Sequence, residues 1–239
     1  MITNNAIWGQ WKDLADNGVF IVNLNAAPTN GTSGTGVGIC DTGSLLVDNT
    51  TGILYLNRGD ATTVDWVAYG PAWLTNFSTT SQSVSAATRT YILGSVIAVP
   101  TGKLKIGTTM EWVFNMTKTA AGTASSTIDI AIGTAGTTAD TAVVSFTKPA
   151  GTAAGDEALC RVRAIVRGPL SASCIMAGDF QMTHNLASTG HATIPCVNVN
   201  TISSGFNATT AGLRVGLCIT TGSSDSVTIQ TVTAVAHNI

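Results

Sequence analysis

The stretch TMEWVFNMT, residues 109–117, alternates without a break. Met110, Trp112, Phe114 and Met116 share one side, and Glu111, Val113 and Asn115 share the other. Successive side chains of a strand point to opposite faces, so this period of two gathers four large apolar groups on one buried face. A helix, at about 3.6 residues per turn, would scatter them round its axis. The same pattern recurs downstream. Ile128, Ile130 and Ile132 form one such face, and Cys160, Val162, Ala164 and Val166 another. Small-residue turns, Thr119-Ala-Ala-Gly-Thr123 and Gly133-Thr-Ala-Gly-Thr137, separate the alternating runs.

Working outward, strand-like segments continue from Thr90 to the end. They are Tyr91–Val99, Lys103–Ile106, Thr109–Thr117, Thr127–Gly133 and Ala142–Thr147, then Ala158–Arg167, Ala172–His184, Thr193–Val199, Leu213–Thr221 and Ser226–Ala236. Short strands at this spacing predict an antiparallel β-sandwich over 90–239, with a jelly-roll-like topology the natural choice. Upstream, residues 31–75 read as a small β-meander: Ser44–Asp48, Ile53–Asn57 and Thr63–Tyr69, joined by turns at 49–52 and 58–60. Residues 76–89, NFSTTSQSVSAATR, are polar and Ser/Thr-rich and read as a linker. Residues 1–30 carry Trp8 and Trp11 followed by an apolar run from Val19 to Leu24. Their apolar side chains either cap this chain's own core or form an anchor on another surface. The anchor reading assigns the contact to Ile7, Trp8, Trp11, Leu14, Val19 and Phe20.

Composition agrees with an all-β chain. Charged residues make up 10% of it, against about 25% in ordinary soluble domains. Of 13 acidic residues only Glu111 and Glu157 are glutamates, so the usual filling of exposed helices is missing. A net charge of −2 supplies no basic footprint for nucleic acid. No run approaches the roughly 18 apolar residues of a membrane-spanning helix. The start, MITNNAIWGQWKD, has neither the basic nor the apolar region of a classical signal peptide. Five widely spaced cysteines without a CxxC pair are expected as buried free thiols in a protein folded in a reducing cytoplasm.

Few motifs carry chemistry. The glycines of GTGVG (34–38) are followed by strand-forming sequence rather than a helix, which leaves a flexible turn instead of a phosphate cradle. Arg58-Gly59-Asp60 occupies a hairpin turn, where Gly and Asp are expected anyway. Asp41, Asp48, Asp60 and Asp65 sit like turn or strand-end residues, favoured there for local hydrogen bonds. His184 and His191 could approach across a turn and, on a symmetry axis, ligate a metal; satisfied structural histidines are the simpler expectation. No GxSxG elbow is present, and the chain reads as a non-enzyme without cofactor or metal. Arg161, Arg163 and Arg167 lie opposite the apolar face of their strand. Like charges so close need partners, either carboxylates of an adjacent strand or a neighbouring subunit, and subunit contact is the reading preferred.

The ordered motifs GSVIAVP (94–100), KLKIGTT (103–109), TKTAAGTA (117–124), GTAGTTADTA (133–142) and FNATTAGLRVGL (206–217) resemble the β-sandwich domain of tailed-bacteriophage virion proteins. The upstream GSLLVDNTTGILYLNRGD (43–60) is similar to a small meander of phage fibre and virion proteins. This resemblance implies a homotrimeric structural protein, folded in the host cytoplasm and placed on the virion. It would bind the major capsid protein or other virion proteins, as a capsid decoration or head-fibre protein on the outer surface. The alternative is a tail-associated fibre that recognises host surface glycans. Neither nucleic acid nor membrane is among the expected partners.

Overall fold

The computed structural model describes residues 21–50, 53–69, 74–85, 87–119, 122–223 and 225–239, and it divides the chain into two compact units, Met1–Ala72 and Trp73–Ile239. Ile7, Trp8, Trp11, Leu14, Val19 and Phe20, the expected anchor, lie outside the described residues. Among those described there is no helix.

The first unit is a four-stranded sheet: β1 (Ile21–Leu24), β2 (Leu45–Asp48), β3 (Ile53–Asn57) and β4 (Trp66–Ala68), in that order. The expected meander β2–β3–β4 is antiparallel, while β1 adds to it in parallel, Ile21 opposite Leu45. The last part of the segment read as an anchor is therefore a strand of this sheet. Cys40, Leu46, Val64 and Trp66 form its small core. Buried Asn57 holds the loops together: Nδ2 donates to Cys40 O (2.8 Å), and Oδ1 accepts from Gly59 N (3.0 Å) and Asp65 N (2.8 Å). Asp60 is committed to its own turn. The Thr62 hydroxyl and the Thr63 and Thr62 amides donate to Oδ1 and hold the carboxyl below its usual range.

The second unit holds β5 (Leu74–Ser78), β6 (Gln82–Ser85), β7 (Thr90–Tyr91), β8 (Ile97–Ala98), β9 (Thr109–Lys118), β10 (Ser126–Gly133), β11 (Thr141–Lys148), β12 (Asp156–Gly168), β13 (Ile175–His184), β14 (Cys196–Ile202), β15 (Arg214–Thr220) and β16 (Ser226–His237). The larger sheet runs β14-β13-β12-β9-β16-β5, with β6 also on β16; the smaller runs β11-β10-β15-β7, with β8 also on β15. The chain crosses between the sheets from β6 to β7, β8 to β9, β9 to β10, β11 to β12, β14 to β15 and β15 to β16, and it makes one three-strand meander, β12–β13–β14. The two-sheet, antiparallel architecture expected from the sequence is what is observed.

Alternation drives the core. Trp112 and Phe114 of β9 and Val162 of β12 meet Ile128 and Ile130 of β10 and Leu217 of β15. Burying such side chains contributes about 1.5–3 kcal/mol each. Trp112 also donates its indole N–H to Ser95 O (2.7 Å), so its one polar atom is satisfied inside the core. Phe146 of β11 packs against Phe180 of β13, centroids 6.2 Å apart, over Gly178, where an added Cβ would lie 3.0 Å from Phe146 Cζ.

Four expectations are corrected. Residues 76–89 are not a linker: β5 and β6 pair with β16. Arg89 then clamps Asp129 through Nε–Oδ2 (3.0 Å) and Nη2–Oδ1 (2.6 Å). The run Tyr91–Val99 is two short strands, broken at Gly94, whose φ of +78° and close approach to Ser78 N admit no side chain. Lys103–Ile106 is not a strand: Lys103 N bonds Pro100 O, and Lys105 N bonds Thr108 Oγ1 (3.0 Å). All five cysteines are free, and Cys40, Cys160, Cys174 and Cys218 are buried as expected, but Cys196 is exposed.

Candidate functional site

Two places collect polar side chains. The first is the end of the sandwich where β9 and β11 finish and β12 begins. The inward-facing position there is taken by Lys118, Lys148 and Asp156, each an extension of an apolar face. Lys118 Nζ donates to Thr152 O (2.6 Å) and Gly190 O (3.2 Å), and Lys148 Nζ to His191 O (2.6 Å) and Pro149 O (2.9 Å). Burial pushes the Lys148 ammonium below its ordinary value. Burial alone would raise the Asp156 carboxyl, but hydrogen bonds from His191 N, His184 Nδ1 and Leu186 N outweigh it and hold the group low.

The two histidines do approach one another, ring centroids 6.5 Å apart and edge to face. Each is nonetheless engaged. Both ring nitrogens of His184 face acceptors, Asp156 Oδ2 (2.7 Å) and Ile194 O (2.6 Å). His191, wholly buried, donates Nε2–H to Met116 O (3.1 Å), while Nδ1 faces no partner among the described residues. No three His, Cys, Asp or Glu side chains converge as a metal-binding group among the described residues. The Asp156–His184 couple has the first two members of a hydrolytic triad, but a carbonyl oxygen stands where a nucleophile would have to be. Burial pushes the Cys160 thiol up and the Cys218 thiol up to about 12, so neither supplies a thiolate near neutrality. This end is structural.

The second place is the outer face of the larger sheet. Strand register lines up Glu111, Arg163, Asp179 and Asn200 in one row across β9, β12, β13 and β14. Val113, Arg161, Gln181 and Asn198 form the row on one side, and Thr109, Ile165, Ala177 and Ile202 the row on the other. Arg163 Nε donates to Asp179 Oδ1 (3.1 Å), and Arg161 Nη2 reaches Glu111 Oε2 (2.6 Å). Two of the three arginines thus find carboxylate partners on adjacent strands. Arg167, exposed at the end of β12, makes no ion pair among the described residues.

Between β12 and β14 this face sinks into an open groove of about 480 Å³. Its small floor residues, Ala177 and Gly178, lie between taller walls. Arg163, Arg167 and Ile165 rise on one side, and Asn198, Asn200 and Ile202 on the other. Sequence reading found the arginines but missed Asp179, Gln181 and the two asparagines. The alternation Asn198, Asn200, Ile202 within CVNVNTI was the available signal, because it places all three on one face. The groove can hold a small polar molecule; it contains no nucleophile and base in hydrogen-bond reach. No protein-family model matches the chain, and no curated protein does either.

Proposed function

We propose that this chain is a structural protein of a tailed-bacteriophage particle, most simply a capsid decoration or head-fibre protein that binds the outer shell as a trimer. The observation that carries the reading is a surface poor in charge yet rich in large apolar side chains. In the sandwich unit Phe77 is 72% exposed, Ile106 59% and Ile202 56%, with Leu159, Leu93 and Ile194 close behind. Exposed apolar side chains on so weakly charged a surface suit contact with other protein surfaces. The ordered motif resemblance supplies the class of partner. On this reading the protein works by binding: each interface is modest, and repetition over the shell multiplies it. No cofactor takes part. The anchor is assigned to the segment holding Trp8 and Trp11, which precedes β1.

The test is a full-length Trp8→Ala, Trp11→Ala double variant mixed with undecorated expanded capsids. It should keep the oligomeric state and circular dichroism of the parent and fail to decorate. Undiminished decoration by the double variant would remove the anchor assignment. Copy number in purified particles checks the location, since a shell protein is present in numbers that match capsomers and a tail protein in a few.

A further inference from the structure

We infer that the groove on the outer face of the larger sheet is a binding site for a saccharide that carries a carboxylate. The inference holds for a shell or a tail location alike and does not depend on the reading above.

The argument starts from unspent hydrogen-bonding capacity. Gln181, Asn198 and Asn200 face the groove, and none of these amides makes a hydrogen bond among the described residues. Each offers a donor and an acceptor on one rigid plane, which suits neighbouring hydroxyls that both donate and accept. Beside them, Ile165 and Ile202 give apolar surface for the C–H face of a sugar ring, and Ala177 leaves the space between open.

Charge then selects among sugars. The groove carries Arg163, Arg167 and Asp179. Arg163 is tied to Asp179, so that pair is internally neutral, and Arg167 remains as one uncompensated cation. A single planar carboxylate matches one guanidinium in charge and in fork geometry. A phosphate dianion matches less well, because the Asp179 carboxylate lies within the same groove and repels the second charge.

Other ligand classes fit poorly. No aromatic side chain lines the groove, so a nucleobase has nothing to stack on. β12 and β13 are paired on both sides, and the unpaired edge of β14 faces away from β13, so the floor of the groove offers a peptide no strand to extend. The volume falls within the roughly 300–1,000 Å³ of small-ligand sites.

The experiment titrates the full-length protein, by calorimetry and by NMR, with a panel of uronic-acid and sialic-acid oligosaccharides. The neutral counterparts and inorganic phosphate run alongside. At least one acidic saccharide should bind, about tenfold or more tighter than its neutral counterpart and than phosphate. Arg167→Gln, at an exposed position without an ion pair, should unfold like the parent and lose that preference while it retains weak neutral binding. Asn198→Ala with Asn200→Ala should abolish binding of both. No binding across the acidic panel, equal affinity for phosphate, or an intact preference in Arg167→Gln would each overturn the assignment.

Discussion

Protonation of His191 should set how the sandwich responds to mild acid. Its ring is wholly buried; the Met116 carbonyl accepts from Nε2, and no donor or acceptor among the described residues meets Nδ1. Adding a proton at Nδ1 creates a cation with nowhere to donate, desolvated and close to the Lys148 and Lys118 ammonium groups. The attraction of Asp156 offsets only part of this. Burial first, and then Lys148, push the imidazole down to about 4 from an ordinary 6.5. Because the folded value is the lower one, the unfolded chain binds more protons between pH 6.5 and 4. Stability therefore falls as pH drops through that window and is fully present above it. A displacement of two and a half pH units amounts to about 3 kcal/mol at roughly 1.4 kcal/mol per unit. That is a sizeable part of the roughly 5–15 kcal/mol that holds a domain folded.

The assay is urea unfolding at half-unit steps from pH 7.5 to 4, on the parent and on His191→Gln. The Gln amide keeps a donor for Met116 O but cannot titrate, so other ionisable groups cancel in the difference. Asp156, held below its usual range, weakens the fold only at still lower pH. At pH 7 the variant should be the weaker by about 1–2 kcal/mol for the lost ring packing. The gap should close with a slope approaching one proton and reverse between about pH 6 and 5. Two parallel stability curves would refute the reasoning, as would an NMR titration that showed Nδ1 protonating near pH 6.5.

Two further outcomes test the corrected fold. Arg89→Ala leaves Asp129, with a side chain only 4% exposed, as an uncompensated buried charge, and should cost the sandwich about 3–5 kcal/mol in denaturant unfolding; an unchanged midpoint would restore the linker reading of residues 76–89. Gly178→Val places a Cβ 3.0 Å from Phe146 Cζ and 3.3 Å from Val144 Cγ1, and should destabilise by about 1–3 kcal/mol through overpacking, with partial rescue by Phe146→Leu in calorimetric melts.

The long strands were readable because each satisfies its own alternation: β9, β10 and β12 announce a buried face within a few residues. The same alternation, carried one step further, already places Lys118, Lys148 and Asp156 inward. What stayed hidden was pairing at a distance. β5 reads LTNFS and β6 reads QSVS, both mostly polar, because they lie along the border of the larger sheet and take their order from β16 far along the chain. No local pattern records that. The break at Gly94 is equally silent in an apolar run, since a glycine signals left-handed backbone only once its neighbours' paths are known. The groove was half legible: the arginines were visible as a charge problem, while their partners Glu111 and Asp179 come from strands the sequence could not order.

Where the scarce charges sit separates acid response from ligand binding. Among the described residues seven charged side chains are buried: Lys118, Lys148, Asp48, Asp129, Asp140, Asp156 and Asp225. The outer surface is thus even less charged than the composition states. Four of the seven, Lys118, Lys148, Asp156 and Asp225, stand where β9 and β11 end and β12 and β16 begin. Charged hydrogen bonds to loop carbonyls close that end of the sandwich. The groove uses the other end of β12, from Arg163 to Arg167. At about 3.3 Å per residue, the eleven steps from Asp156 to Arg167 span roughly 36 Å, several Debye lengths at physiological salt. Protonating His191 therefore loosens the loops at one end of the strand without altering the electrostatics at the other. A loss of saccharide binding above pH 5 would have to travel through the shared β12–β13 pairing, which makes the binding curve a measure of how cooperatively the larger sheet holds together.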